Sequence, residues 1–180
     1  MKSEVRLIGG QWKKSKLPVL DRPGLRPTPD RVRETLYNWL GQDLSGWRVL
    51  DAFAGSGALG FEAASRGARE VVLLERDAVI ARSLAASKAR LQAEALEVHA
   101  TDALAWMAGA AQGRFDLVML DPPFDAGLHA SAADAATKLL SPGGWLYVES
   151  DRALDPPAGC EVWRHLQAGA VHAHLWRRIN

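Results

Sequence analysis

Short apolar runs separated by Ala-rich helical stretches organise this chain from Trp47 onward. Arg48-Val49-Leu50-Asp51, Val71-Val72-Leu73-Leu74-Glu75, Leu96-Glu97-Val98-His99, Phe115 to Leu120 and Trp145 to Glu149 each read as a strand. Helical patterns fall between them, over about Ala58 to Arg66, Asp77 to Gln92, Asp102 to Ala108 and Leu128 to Leu140. The last is ended by Ser141-Pro142-Gly143-Gly144. Strand alternating with helix predicts a parallel sheet covered on both faces, a doubly wound α/β fold. The tail, Glu161 to Gln167 and Val171 to Arg178 around Ala168-Gly169, reads as an antiparallel hairpin. Five strands plus that hairpin make an expected seven-stranded, mostly parallel sheet.

The first forty residues follow a different pattern, so a small extension (1–40) is expected on a main domain (41–180). Val5 to Ile8 and Leu17 to Leu20 predict a hairpin with Lys13, Lys14 and Lys16 at its tip. Arg22-Pro23-Gly24 reads as a turn or hinge. Arg26-Pro27-Thr28-Pro29 then sets up a helix, with Thr28 as N-cap, Pro29 at its first position and Asp30 in its first turn. That helix is expected to bury Val32, Leu36, Trp39 and Leu40 and to leave Arg31, Arg33 and Glu34 to solvent or ligand.

Charge sharpens the division. Residues 1–40 carry nine Lys/Arg against four Asp/Glu, or +5, so the remaining 140 residues sum to −4 and the chain to +1. A basic arm on a mildly acidic body suits a polyanionic partner, and equally a merely solvated terminus. At 180 residues the chain is one domain's length and can bury a sizeable core. Its single cysteine, Cys160, permits no intrachain disulfide and has no zinc-like spacing around it. No signal-peptide core or membrane-length apolar run is present, so a cytoplasmic location is expected. His99, His129, His165, His172 and His174 show no metal-binding spacing. Trp12, in the arm, reads first as a packing residue and only second as a contact for a polyanionic partner.

Two motifs carry candidate chemistry. Asp121-Pro122-Pro123-Phe124 ends the apolar run Phe115 to Leu120. Two prolines lock φ and donate no hydrogen bond, so Asp121 and the Pro122 carbonyl can stand as fixed acceptors for a planar NH2 group. Phe124 offers a flat face for a base. A plain Pro-terminated strand turn is the competing explanation. The second motif, Asp51-Ala52-Phe53-Ala54-Gly55-Ser56-Gly57-Ala58-Leu59-Gly60, joins the first strand to its helix. Its Gly55-x-Gly57-x-x-Gly60 spacing, with Glu75 some twenty residues on, fits a dinucleotide loop as well as an S-adenosylmethionine loop. Asp51 favours the second, because a carboxylate there repels a pyrophosphate and attracts a cationic amine and sulfonium. Phe53, Ala54, Gly55 and Gly57 would then line the cofactor, with Glu75 taking both ribose hydroxyls and Arg76 beside it. Asp102 is placed to accept from the adenine amino group, near the Ala103 N–H, although a helix N-cap explains that acid equally well.

With these motifs quoted, the sequence resembles the class I S-adenosylmethionine-dependent amino-methyltransferases. Leu7-Ile8-Gly9-Gly10 and Arg26-Pro27-Thr28-Pro29-Asp30-Arg31-Val32-Arg33-Glu34 make it similar to the bacterial RsmD family over roughly residues 5 to 150. That resemblance implies a Rossmann-like methyltransferase fold and methylation of the 2-amino group of one guanine in small-subunit ribosomal RNA. It further implies a substrate held within a small-subunit particle and a monomeric enzyme. Lys13-Lys14-Ser15-Lys16 departs from the Arg-Gly-Arg-like tip common in the family. Asp121, Pro122, Pro123 and Phe124 would be catalytic, while Lys13, Lys14, Lys16, Arg26 and Arg31 would grip RNA phosphates. Arg26, Thr28 and Arg31 would serve equally well bordering the cofactor pocket, and the sequence leaves that open.

The main alternative is a DNA adenine-N6 or cytosine-N4 amino-methyltransferase, which shares the acid-Pro-Pro-aromatic logic but lacks a DNA-reading domain here. A protein-glutamine methyltransferase would be expected to carry Asn in place of Asp121. A nicotinamide oxidoreductase conflicts with Asp51, and a catalytically silent RNA-binding module conflicts with an intact Asp121 motif.

Overall fold

The structure, a computed structural model, describes residues 3–123 and 127–180. Its centre is one seven-stranded sheet in the order β5 (Leu96–Ala100), β4 (Glu70–Glu75), β3 (Arg48–Asp51), β6 (Phe115–Leu120), β7 (Leu140–Ser150), β9 (Val171–Arg178), β8 (Cys160–Ala168). Strands β3, β4, β5, β6 and β7 run parallel. The antiparallel hairpin of β8 and β9 completes the sheet beside β7. The expected seven-stranded, doubly wound α/β architecture is therefore present.

Strands buried on both faces read as unbroken apolar runs, and their residues divide by alternation. Val49, Val71, Leu73, Leu117, Met119 and Tyr147 join one core, which α2 (Ala58–Ser65) and α3 (Ala78–Leu91) cover. Leu50, Val72, Leu74, Val118, Leu120, Leu146 and Val148 join the other, under α4 (Ala103–Gly109) and α5 (His129–Leu139). All eight residues of α2 are buried, because the N-terminal arm covers the side that would otherwise meet solvent.

The arm consists of the hairpin β1 (Ser3–Arg6) and β2 (Lys16–Val19) followed by α1 (Asp30–Trp39). Its Val5, Leu7, Leu17, Val19, Val32 and Leu36 enter the same core as Val49 and Leu73. The Ile8 and Gly9 N–H groups donate to buried Glu62 on α2, and Gln11 N–H donates to the Ser65 carbonyl. Glu62 is neutralised by Arg66 at 3.1 Å, so no lone charge is buried. Trp12 packs against this core, half-buried, with its N–H on Ser65 Oγ.

Four expectations need correction. The hairpin strands begin earlier than expected, and Lys16 lies within β2 facing Glu4 at 3.5 Å, not at the tip. Lys14 adopts φ 75°, the left-handed conformation that favours glycine, at the place where the resemblance expects one. Pro29, not Thr28, is the N-cap of α1, and no side chain caps that helix, because the Thr28 hydroxyl is turned inward to another acceptor. Arg33 is fully buried. Its guanidinium donates to the carbonyls of Thr28 (3.1 Å) and Arg6 (3.0 Å) and to the Asp30 carboxylate. One cation thus ties hairpin, connector and helix together. The β7 ladder also starts five residues early, at Leu140, with a bulge between the Phe115–Leu140 and Leu117–Trp145 pairs that absorbs the Ser141–Gly144 turn.

Arg33→Met keeps the apolar stem but leaves two carbonyls and a carboxylate without their donor. Unfolding free energy should fall by about 3 kcal/mol. Urea denaturation checks this, and an unchanged midpoint would show that the arm docks without Arg33.

Candidate functional site

β3 has β4 on one side and β6 on the other, so the strand order reverses there and a crevice opens beyond the carboxyl ends of the strands. Acidic residues close four neighbouring strands at this edge: Glu75 on β4, Asp51 on β3, Asp121 directly after β6, and Glu149 near the end of β7. In the ladders Asp51 pairs with Met119, Met119 with Tyr147, and Leu120 with Val148. Asp51, Asp121 and Glu149 therefore alternate onto the face that α1 and α2 cover.

The loop after β3 is built to hold two of these acids. Gly57 takes a left-handed φ of 83° as the N-cap of α2. Asp51 Oδ2 accepts the Gly60 N–H at 3.0 Å across that first turn. Gly60 has to be glycine, since a Cβ there would lie 2.1 Å from Leu73 Cδ2 and 3.1 Å from Asp51 Oδ2. Glu75 accepts the Gly55 N–H on one oxygen and the Asp77 N–H on the other, each at 3.0 Å. Each of its oxygens retains a lone pair for a further donor, the pattern a vicinal diol requires. Ala58 N–H goes to Ser56 Oγ. The loop amides of Gly55, Ala58 and Gly60 are thus engaged within the protein, and the crevice is faced by carboxylates. Such a lining attracts a cation and provides no amide cradle for a pyrophosphate.

Burial reinforces the selection. Asp51 is 1% exposed, and its pKa is pushed up to about 7, first by desolvation and then by Glu149 and Glu75, against the Gly60 hydrogen bond. Half-buried Asp121 is raised well above the usual carboxyl range by desolvation, with Glu149 and then Asp51 adding to it. Glu149 is raised by burial, against the Thr28 hydroxyl, which donates to its Oε2 at 2.7 Å. The sequence marks Glu149 only as a strand end, not as a site acid. An apolar strand ending in a glutamate beside the strand that ends in Asp121 was the available signal.

The structure brings Asp51, Phe53, Ala54, Gly55, Gly57, Glu75 and Asp121 to one edge, with buried Pro122 and exposed Pro123 following. Phe124 lies outside the described residues. Asp102 is exposed and caps α4 by accepting the Ala105 N–H at 2.9 Å, with Ala103 buried behind it and Arg76 exposed on the neighbouring loop. The connector from β2 to α1 passes across the same edge. Arg22 meets Asp77 at 3.4 Å, the Leu25 side chain approaches Gly55, and Thr28 reaches Glu149. Arg26 stands exposed between those last two contacts, and Arg31 is exposed on the first turn of α1. Lys13 and Lys14 are exposed at the other end of α2, where the hairpin turn docks on Ser65. The basic residues are therefore split between the crevice mouth and a point about a helix length, ~12 Å, away.

A family model described as "Conserved hypothetical protein 95" matches residues 5–177. The Escherichia coli protein named ribosomal RNA small subunit methyltransferase D is 42% identical over 97% of this chain and 90% of its own. The chain belongs to this family. The Haemophilus influenzae protein of the same name is 41% identical over 98% of this chain and 95% of its own. Among solved structures, a putative methyltransferase from E. coli superposes with a TM-score of 0.87 at 40% identity, covering 98% of this chain and 99% of that one. The family's sheet is that of the class I methyltransferases, and the protein is a methyltransferase. No helix among the described residues is long and apolar enough to cross a membrane.

The raised Asp51 sets a pH dependence. The native group holds its proton to about pH 7, while the unfolded chain releases it near 3.8, so the fold binds the extra proton in between. Its stabilising contribution is complete below the unfolded value and is lost as pH rises through the folded one. Asp51→Asn should flatten the fall in ligand-free stability between about pH 4 and 7, and urea midpoints across that range measure it. A slope identical to wild type would show that Asp51 is ionised throughout.

Proposed function

We propose that the protein moves a methyl group from S-adenosylmethionine to the exocyclic 2-amino group of a guanine in small-subunit ribosomal RNA. The observation that carries the reading is an acid–proline corner at the end of β6, beside an acid-lined crevice whose loop amides are already engaged. The names of the ribosomal RNA methyltransferases to which the chain is similar support the choice of substrate.

Asp51 and Glu75 suit the two ends of the donor. Glu75, its carboxylate fixed by two N–H groups, takes the ribose hydroxyls, and Asp51 offers a charge to the cationic amino-acid portion. Asp102 has one oxygen on the Ala105 N–H and its other oxygen for the adenine amino group, next to the Ala103 N–H. Phe53, Ala54, Gly55 and Gly57 form the loop that would lie beneath the donor, with exposed Arg76 beside it and buried Thr28 turned toward Glu149. When bound, the donor supplies an electrophilic methyl on a positively charged sulfur.

A guanine 2-amino group is a poor nucleophile because its lone pair is delocalised into the ring. Asp121 and the Pro122 carbonyl accept its two N–H bonds, draw the nitrogen toward a tetrahedral shape and aim the lone pair at the methyl. This is positioning with electrostatic help. Phe124 would stack on the base, worth about 1–3 kcal/mol. A paired guanine cannot enter such a corner, so the base is taken unpaired or flipped.

Arg26 and Arg31 stand where RNA phosphates next to the flipped base would pass, and Lys13, Lys14 and Lys16 on the hairpin form a second basic set about a helix length away, so the basic track is discontinuous. A track of that length suits a folded RNA surface, such as an assembling small subunit, met by one protomer.

Asp121→Ala should abolish methylation of small-subunit RNA, read by mass spectrometry of the modified nucleoside, while donor affinity by calorimetry stays within about threefold. Wild-type turnover in that variant would remove the acceptor role. Reversing the charge at Lys13, Lys14 and Lys16 together should weaken RNA binding and lower the slope of log affinity against log salt by about 2–3. Unchanged affinity at low salt would reject the basic track. Faster methylation of duplex DNA than of ribosomal particles would favour the DNA amino-methyltransferase reading.

A further inference from the structure

The geometry points to Glu149 as a positioning residue that governs how Asp121 takes up and returns a proton during amine methylation. The inference rests on the proposed role of Asp121 and assigns a second acid to the same reaction. Glu149 lies one position beyond the Leu120–Val148 pair, so it stands level with Asp121 on the adjacent parallel strand, about 4.8 Å across the sheet. Both lie on the face covered by α1. Glu149 is 4% exposed, and its carboxylate has the Thr28 hydroxyl as a hydrogen-bond donor at 2.7 Å. Its backbone carbonyl is fixed separately by His129 Nε2 at 3.0 Å, so the side chain is not needed to hold the strand end. A glutamine would satisfy Thr28 without burying a charge. The acid is therefore the costly choice for structure alone.

The reaction supplies a use for it. The amine nitrogen forms its bond to the methyl carbon as the sulfur–carbon bond breaks, and the sulfur keeps that electron pair. The nitrogen then carries one proton too many, and its N–H bond breaks toward an oxygen of Asp121, from which the proton passes to water. Asp121 has to be ionised when the amine arrives and basic enough to accept afterwards. An ionised carboxylate alongside raises that basicity, because two neighbouring acids hold the first proton more tightly than either would alone. Thr28 keeps the charge on Glu149, leaving the proton to Asp121.

The groups facing this pair are Asp51 on β3 with Glu75 beyond it, Tyr147 on β7, Tyr37 and Arg33 on α1, and Thr28 on the connector. Arg33 is engaged with two carbonyls and Asp30, and Tyr37 donates to the Leu59 carbonyl at 2.7 Å. Burial, then Glu149, is what raises Asp121, while the Thr28 hydrogen bond is the largest effect that lowers Glu149.

The test is the pH profile of kcat on small-subunit RNA. Glu149→Gln removes the charge and retains an acceptor for Thr28. The acid limb, set by ionisation of Asp121, should move to lower pH by about one unit. The plateau should fall as Asp121 becomes a weaker proton acceptor, with donor KM within about twofold of wild type. An acid limb at the wild-type position overturns the inference. Thr28→Val should shift the limb in the same direction by less, and it decides the matter should Glu149→Gln not fold; an unmoved limb there also counts against the inference. Asp121→Ala run alongside separates the two claims. Turnover in that variant removes the acceptor reading itself, whereas an inactive Asp121→Ala with an unmoved Glu149→Gln limb removes only the part assigned to Glu149.

Discussion

Four carboxyl groups on four adjacent strand ends form an unfavourable arrangement that the fold has to hold in place. Glu75, Asp51, Asp121 and Glu149 line one edge of β4, β3, β6 and β7, and three of them have pKa values raised above the ordinary range. Like charges this close repel, and desolvation adds to the cost. What keeps them there is donor geometry: two backbone N–H groups on Glu75, one on Asp51 and a threonine hydroxyl on Glu149. The rest of the sheet, buried on both faces, supplies the stability that the edge gives up, as is usual where a fold meets its chemistry.

The arm takes part in that edge. Arg22 meets Asp77 beyond β4, Leu25 lies against Gly55 and Thr28 against Glu149, so the connector spans the crevice from the β4 side to the β7 side. Arg33 ties the same connector to both arm elements. The segment whose charge suited a polyanionic partner is thus a wall of the candidate site.

Most of the sheet was legible because continuous apolar runs leave few alternatives to a strand buried on both faces, and β3 and β6 fall on the very residues expected. The loop acids were legible for a local reason, lying at fixed offsets from glycines that the turn requires. What escaped was long-range. Thr28 sits where an N-cap belongs, but its acceptor is 121 residues away and no local pattern announces it. Arg33 shares a helix face with Leu36 and Tyr37, and its charge argued for solvent only because its carbonyl partners come from β1 and the connector, which the helical wheel does not show. Glu149 was hidden as the last residue of an apolar strand. The Ser141–Gly144 stretch read as a stop, whereas a bulge let the ladder run through it.

The hydrogen bond between Thr28 and Glu149 also bears on how the chain is made. The arm emerges ahead of its partners, which on α2 come more than fifty residues later and on β7 121 residues later. At ordinary elongation speeds of about 5–20 residues per second, a basic segment waits roughly 6–24 s before its last anchor exists. Until then the connector lacks its anchor on β7, and Arg26 and Arg31 remain beside the anionic RNA of the ribosome that makes them.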